Sequence, residues 1–328
     1  MTRWKKSAFA GAAILAMVAA TGCGSSAGDS KSGSGSIRIM VPNSPGGGYD
    51  TTARVAAKIM EDEGIQSNVQ VFNLEGAGGT VGLSRTVQSK GAGDQLMLMG
   101  LGVVGAVFTN NSKSTLADTT PIARLISEPD IVVVPIKSKY KTLDQLVTDW
   151  KANPKKFPVG GGSSPGGPDH LAPHLLADKV GIDPTQVNYV SYDGGGPLLA
   201  ALLNGEIKFG ASGVGEYKDQ IEAGQLRVLA VTSTDRVPGL DAPTLKEQGV
   251  DLEFVNWRGL VAPPGISATD KKNLIDQVTK LHTTDAWKQA EKKNGWTDAF
   301  MPGKEFADFI QSENQRVKDV LTKLGLVK

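Results

Sequence analysis

Apolar runs that end in clusters of glycine recur along this chain, and that recurrence narrows its fold more than any other feature. Ile37-Arg38-Ile39-Met40-Val41 reads as a strand, and Pro42-Asn43-Ser44-Pro45-Gly46-Gly47-Gly48 as a tight turn. A helix is expected over Thr51–Glu63, with Val55, Ile59 and Met60 at helical spacing and Gly64 closing it. The pattern returns at Gly76-Ala77-Gly78-Gly79-Thr80, at Gly100-Leu101-Gly102, at Gly160 to Gly167 and at Gly194-Gly195-Gly196. A glycine turn between a strand and a helix aims unpaired first-turn N–H groups at an anion, and the helix dipole adds positive potential. Asp50 is placed to act as the N-cap of the first helix. Turns of this kind at the carboxyl ends of strands suggest one site built from loops. For each of them a plain tight turn is the alternative.

Further strands are expected at Val69–Asn73, Gln95–Met99, Ile131–Pro135, Phe157–Gly160, Gln186–Val190, Phe209–Ser212, Leu226–Thr232 and Trp257–Ala262. Helices fit between and after them, ending with Ala268–Thr283, Asp285–Asn294 and Gly303–Leu324. This alternation predicts an α/β fold with mainly parallel sheets. Val132-Val133-Val134-Pro135-Ile136 and Asn256-Trp257-Arg258-Gly259-Leu260-Val261-Ala262 read as passages between two lobes, with a cleft between them.

The first residues stand apart. Arg3, Lys5 and Lys6 precede a short apolar run, Ala8 to Ala20, which ends at Ala20-Thr21-Gly22-Cys23. This reads as a lipoprotein signal peptide whose cleavage leaves Cys23 acylated at the mature N-terminus, although Ala20 stands where leucine is usual. A reactive thiol is the competing role for Cys23, the sole cysteine, which rules out an internal disulfide. The Gly/Ser-rich stretch from Gly24 to Ser36 reads as a flexible tether. Without Arg3, Lys5 and Lys6, 32 basic residues face 34 acidic ones. A balance so close to neutral gives no bulk attraction to nucleic acid or acidic lipid.

Several motifs point elsewhere. Gly162-Ser163-Ser164-Pro165-Gly166 fits the G-x-S-x-G elbow of α/β hydrolases, but the residue after Ser164 must donate an N–H and Pro165 has none. Gly100-Leu101-Gly102-Val103-Val104-Gly105 fits a dinucleotide fingerprint, but Asp118 is not at a strand end and a helix after Gly105 looks poor. His170 and His174 have metal-capable spacing without any third ligand in support, so no metal and no cofactor are expected. Hydrogen bonding near a helix start suits His170, and packing suits His174. Arg54 can pair with Asp50, Arg85 is expected in solvent, and Arg258 is open to either a ligand or a hinge ion pair. Tyr49 and Tyr192 flank glycine turns and can wall a cleft or simply pack.

From Ile37 onward the chain resembles the periplasmic or surface-anchored solute receptors of tripartite tricarboxylate transporters, the TctC or Bug family. The resemblance is carried by VPNSPGGGYDTTAR, NLEGAGGTVG, GGGSSPGGPDHLAPHLLA, VNYVSYDGGGPLLAALLNGEIKFGASG, IEAGQLRVLAVTSTDR, WRGLVAPPGIS and NGWTDAFMPG, in that order. It implies a hinged, two-lobed periplasmic-binding-protein fold of the type II kind, with the ligand in the interlobe cleft and no enzymatic activity. The expected division is a signal peptide at 1–22, a tether at 23–36, one lobe at 37–135 and 257–328, and the other at 136–256. The ligand implied is a small carboxylate, citrate-like in the tricarboxylate-type branch, held largely by backbone N–H groups and water. Carried over by position, the first-lobe contacts are Ser44, Gly46, Gly47, Gly48 and Asp50, and the second-lobe contacts are Ser163, Ser164, Gly166, Gly167 and His170. Tyr49, Gly78, Gly79, Tyr192, Asp193 and Arg258 complete the candidate site. The resemblance further implies a lipid-anchored, extracytoplasmic monomer that delivers its ligand to transporter membrane subunits.

Overall fold

Ten strands and ten α-helices run through residues 35–327, the part of the chain that the structure, a computed structural model, describes. The expected signal peptide, Cys23 and tether residues up to 34 lie outside the described residues. The first half of the order is β1 (Ile37–Val41), α1 (Gly48–Asp62), β2 (Val69–Asn73), α2 (Thr80–Gln88), β3 (Gln95–Gly100), α3 (Leu101–Thr109), β4 (Thr120–Pro135) and α4 (Leu143–Ala152). There follow β5 (Pro158–Gly161), α5 (Pro168–Lys179), β6 (Asn188–Ser191), α6 (Gly195–Asn204), β7 (Phe209–Gly213), α7 (Val214–Glu222) and β8 (Leu226–Val231). The chain closes with β9 (Val255–Ala262), α8 (Ala268–Thr283), α9 (Asp285–Asn294), β10 (Thr297–Pro302) and α10 (Gly303–Lys323).

The strand order β2-β1-β3-β9-β4-β7-β5-β6 has a repeat built into it. β1 lies parallel between β2 and β3, and β5 lies parallel between β6 and β7. β3 then pairs antiparallel with β9, and β7 pairs antiparallel with β4. β4 belongs to both halves. Its residues up to Pro129 pair with β9, and from Asp130 onward they pair with β7 and β8. The changeover therefore falls at Pro129–Asp130, upstream of the division expected at Pro135. The result is a two-lobed α/β architecture, but its sheet is mixed and not mainly parallel as the alternation implied, because β4 and β9 pair antiparallel with their neighbours.

Both faces of β1 are covered, which suits a parallel strand between helix layers. Ile39 and Val41 pack with Ala53, Ile59 and Met60 of α1 and with Leu274 and Val278 of α8, while Met40 joins Leu83, Val103 and Phe306 on the other side. In the second half, Ile131 and Val133 of β4 pack with Leu198 and Leu202 of α6 and Tyr217 of α7.

Three elements differ from expectation. α3 is a full helix with six of its nine residues buried and apolar residues on every side, so it carries no polar face to reveal its period. β4 begins at Thr120 rather than Ile131, because Glu128 and Asp130 are buried within it and break the apolar pattern. β10 is a half-exposed strand against β4 that no alternation marked.

Candidate ligand cleft

Ser44-Pro45-Gly46-Gly47 and Ser164-Pro165-Gly166-Gly167 are two copies of one turn, each leading from the central parallel strand of its half into a helix. Gly46 and Gly166 adopt φ of 85° and 88°, a region that disfavours any side chain. Gly47 (φ −74°, ψ 170°) and Gly167 (φ −77°, ψ 170°) are the N-caps of α1 and α5. The N-cap of α1 is thus Gly47 and not Asp50, and the positive φ belongs to Gly46. The Gly47 N–H donates to the Ser44 carbonyl at 3.4 Å, and the Gly167 N–H to the Ser164 carbonyl at 2.9 Å. The two turns differ in what braces them. The Gly46 N–H donates to Asp50 Oδ2 at 2.9 Å, whereas the Gly166 N–H donates to His170 Nδ1 at 3.3 Å. Neither helix start has a side-chain cap, so its first turn offers donors to whatever lies in front of it.

What lies in front of both is one cavity of about 800 Å³. Of the candidate residues, Ser44, Gly46, Gly47, Gly48, Tyr49, Gly78, Ser163, Ser164, Gly167, Tyr192, Asp193 and Arg258 line it. Asp50, Gly79, Gly166 and His170 stand behind the lining. Asp50 accepts from Gly46, from Arg54 Nε at 2.8 Å and from Asn73 Nδ2 at 2.9 Å. Burial works against its charge, but these bonds outweigh burial and hold its pKa below the ordinary value. Gly79 packs on Val103 and Pro42. The buried His170 ring stacks on His174, with centroids 4.1 Å apart, and burial together with His174 pushes its pKa down to about 3. His170 is therefore a neutral acceptor for Gly166. No group of three or more His, Cys, Asp or Glu side chains is placed to hold a metal ion among the described residues.

The lobes touch around the mouth of the cavity. The Ser44 hydroxyl donates to Asp193 Oδ2 at 3.0 Å. Thr109 Oγ1 of α3 donates to the Pro165 carbonyl at 3.2 Å, and a Cβ on Gly105 would lie 1.9 Å from the Gly166 oxygen. The glycines of the G-x-G-x-x-G stretch thus serve close packing. Gly100 lies under the Trp257 carbonyl, Gly102 donates to Tyr49 Oη at 3.1 Å, and Gly105 seats the second turn.

Arg258 lies at the inner end of the cavity and is 3% exposed. It pairs with Glu128 through Nη2, and its Nη1 donates to Thr52 Oγ1 at 3.1 Å. Thr52 in turn donates to the Gly48 carbonyl at 2.9 Å, so the guanidinium ties β4 to the first turn of α1. Of the two roles open to Arg258, the ion pair between strands is present in the structure. Its Nε and the Oδ1 of Asn256 are buried without a partner.

Asp169, Glu216 and Asn256 also line the cavity, and none of them was among the expected ligand contacts. They are common polar residues on three separate elements, and only the chain's folding brings them together. The Asp169 carboxylate accepts from the Gly162 N–H at 2.8 Å. Burial nonetheless raises its pKa to about 7, and burial with neighbouring acids raises that of Glu216 to about 8. Tyr49 is likewise pushed by burial up to about 12.

Arg54 and Arg258 contrast clearly. The Arg54 side chain is 50% exposed and reaches Asp50 and Asn73 on the outer side of the turn. Arg54→Gln should cost less than about 1 kcal/mol of stability, because exposed pairs are screened by water. Urea unfolding measures it, and a loss several times larger would mean that the Asp50 brace depends on this one cation.

A two-lobed α/β fold with a loop-built cleft, and with its helix N-termini aimed into that cleft, is the architecture of a solute-binding protein. Solved structures share the fold. MatC from Rhodopseudomonas palustris, solved with bound malate, matches with TM-score 0.76 and 23% identity, covering 87% of this chain and 98% of that one. Another R. palustris protein, solved with adipate, matches with TM-score 0.81 and 23% identity over 89% and 98%. At sequence level, protein BugT of Bordetella pertussis is 29% identical, covering 88% of this chain and 89% of the relative. Residues 52–326 match the tripartite tricarboxylate transporter family receptor profile, and the chain belongs to that family. It is a receptor and not an enzyme.

Proposed function

We propose that this protein is an extracytoplasmic receptor that captures a small di- or tricarboxylate in its cleft and delivers it to the membrane subunits of a tripartite tricarboxylate transporter. The observation that carries this reading is the pair of matched turns. Two uncapped helix N-termini, one from each lobe, open onto one cavity, and an anion is what such termini bind. Family membership and the malate- and adipate-bound relatives support a carboxylate. Citrate is the tricarboxylate to test first.

Thermal-shift titration with succinate, malate, adipate and citrate tests the reading, since a ligand that binds only the native state raises stability with concentration. A concentration-dependent rise with at least one of them is expected. No rise with any, confirmed by calorimetry, overturns the carboxylate assignment.

The lobes are proposed to bend where β4 changes sheets, at Pro129–Asp130, and at the start of β9. X-ray scattering should give a more compact particle at saturating ligand, and an expanded particle under the same conditions would refute closure. The anchor is proposed to be a lipid on Cys23, leaving the receptor a monomer on the outer face of the cell membrane. Cys23→Ser should shift the protein into the soluble fraction, and a variant that resists high-salt washing would exclude that anchor.

A further inference from the structure

Behind the glycine turns, the cleft ends in carboxyl groups that outnumber their cations. Glu128 and Asp130 come from β4, Asp169 from α5 and Glu216 from α7, and all of them feel the single guanidinium of Arg258 on β9. Arg258 is already paired with Glu128. Asp130 is fully buried and neither of its oxygens has a partner. Charged carboxylates in that number are not sustained in a desolvated space by one shared cation, and the physical resolution is protonation. A neutral carboxyl group is a hydrogen-bond donor, so the acids change from repelling an anion to binding one.

A second observation points to a ligand at this inner end. Arg258 Nε and Asn256 Oδ1 belong to side chains that are 3% and 6% exposed, both residues line the cavity, and neither atom has a partner. Buried polar atoms without partners are rare in native proteins and are costly to leave so. Here they sit on one strand face, two residues apart, on residues that line the same cavity as Asp169 and Glu216.

We propose that Asp169 and Glu216 form a proton-bearing subsite, which donates O–H hydrogen bonds to the second carboxylate of the ligand while Arg258 Nε supplies a further donor. This rests on the carboxylate reading of the cleft and specifies its inner half. The glycine turns hold one carboxylate, the acid pair holds the other, and the ligand is bound together with at least one proton taken from solvent.

The other groups around the pair are consistent with this. Glu128 on β4 is the carboxylate paired with Arg258, burial and neighbouring acids push Asp130 well above the ordinary carboxylate range, and Tyr49, Tyr189 and Tyr217 are phenols that burial keeps neutral. His170 and His174 on α5 are kept uncharged by burial. Glu75 and Asp193 line the cavity as further acids, and among the described residues Arg258 is the only cationic side chain in the lining. Burial raises Asp169 to about 7 and Glu216 to about 8, so both carry protons below those values and lose them above. Anion binding should therefore be strongest in mildly acidic solution and weaken as pH rises through 7 to 8.

Calorimetry of the full chain with malate and with citrate, from pH 5.5 to 9 in buffers of different ionisation enthalpy, counts the protons. Uptake at pH 7.5 is expected, and above pH 8 Kd should rise about tenfold per pH unit for each proton required. In Glu216→Gln and Asp169→Asn the slope should fall. Carbon-13 NMR titration of the ligand-free protein gives a readout that needs neither ligand nor variant, and should show carboxyl groups titrating near neutral pH. Binding without proton uptake and with a flat Kd overturns the subsite but leaves the carboxylate reading standing. Wild-type pH slopes retained in both variants also overturn it. Absence of binding by every carboxylate at every pH overturns both readings.

Discussion

Arg258→Met is expected to destabilise the protein by about 3–5 kcal/mol, the range for removing one partner of a buried ion pair. The substitution leaves the Glu128 carboxylate 1% exposed and without its cation. It also removes the bond to Thr52, and with it the link between β4 and the first turn of α1. What remains for Glu128 is the Gly215 N–H, which donates to its Oε1 at 2.8 Å. Urea denaturation of the single variant and of Arg258→Met/Glu128→Gln separates the causes. The double variant should recover a large part of the loss, because a neutral amide no longer needs a buried cation. A single-variant cost below about 1 kcal/mol would mean that water in the cleft screens Glu128 as it screens a surface charge.

Gly48→Ala is expected to damage binding more than any other single-methyl change in the first turn. Gly48 lies flat against the guanidinium, and a Cβ there would stand 2.2 Å from Arg258 Nη2 and 2.8 Å from Cζ. The guanidinium cannot retreat without giving up Glu128 or Thr52, so the first turn of α1 must shift instead. Overpacking of this kind costs about 1–3 kcal/mol. Displacing the turn costs the ligand one or two charge-assisted bonds of about 1.5–3 kcal/mol each, or roughly tenfold to several thousandfold in affinity. Gly46→Ala is the instructive comparison. Its Cβ meets nothing within 4 Å, so any penalty comes from the φ of 85° alone. Calorimetry with malate on both variants decides the matter, and wild-type affinity in Gly48→Ala would show that the turn and the guanidinium move independently.

The glycine turns were legible because their chemistry is local. A left-handed φ at Gly46 and Gly166, and close approach at Gly47, Gly48 and Gly167, demand glycine within a few residues of a strand end, and the run of letters shows it. The same holds for most strands and helices, whose apolar periods follow from one face being buried. The reading failed where burial was complete or polar. α3 hid because it is apolar all round, and the first part of β4 hid because Glu128 and Asp130 occupy buried strand positions.

From sequence alone come the α/β alternation, the paired turns and the family, since each depends on order along the chain. The inner end of the cleft does not. Asp169, Glu216, Asn256, Arg258, Glu128 and Asp130 come from four elements spread over more than a hundred residues, and apart from Arg258, a charge on an apolar strand, none is unusual in its own neighbourhood. Their meaning lies in a shared, desolvated space that exists only after β4 has passed from one half of the sheet to the other and β9 has paired beside it. Charge balance and hydrogen-bond satisfaction are properties of that space, so they are set by tertiary contacts. The same reason moved Arg258 from an open question to a buried tie between β4 and α1: its partners, Glu128 and Thr52, are 130 and 206 residues away in the chain.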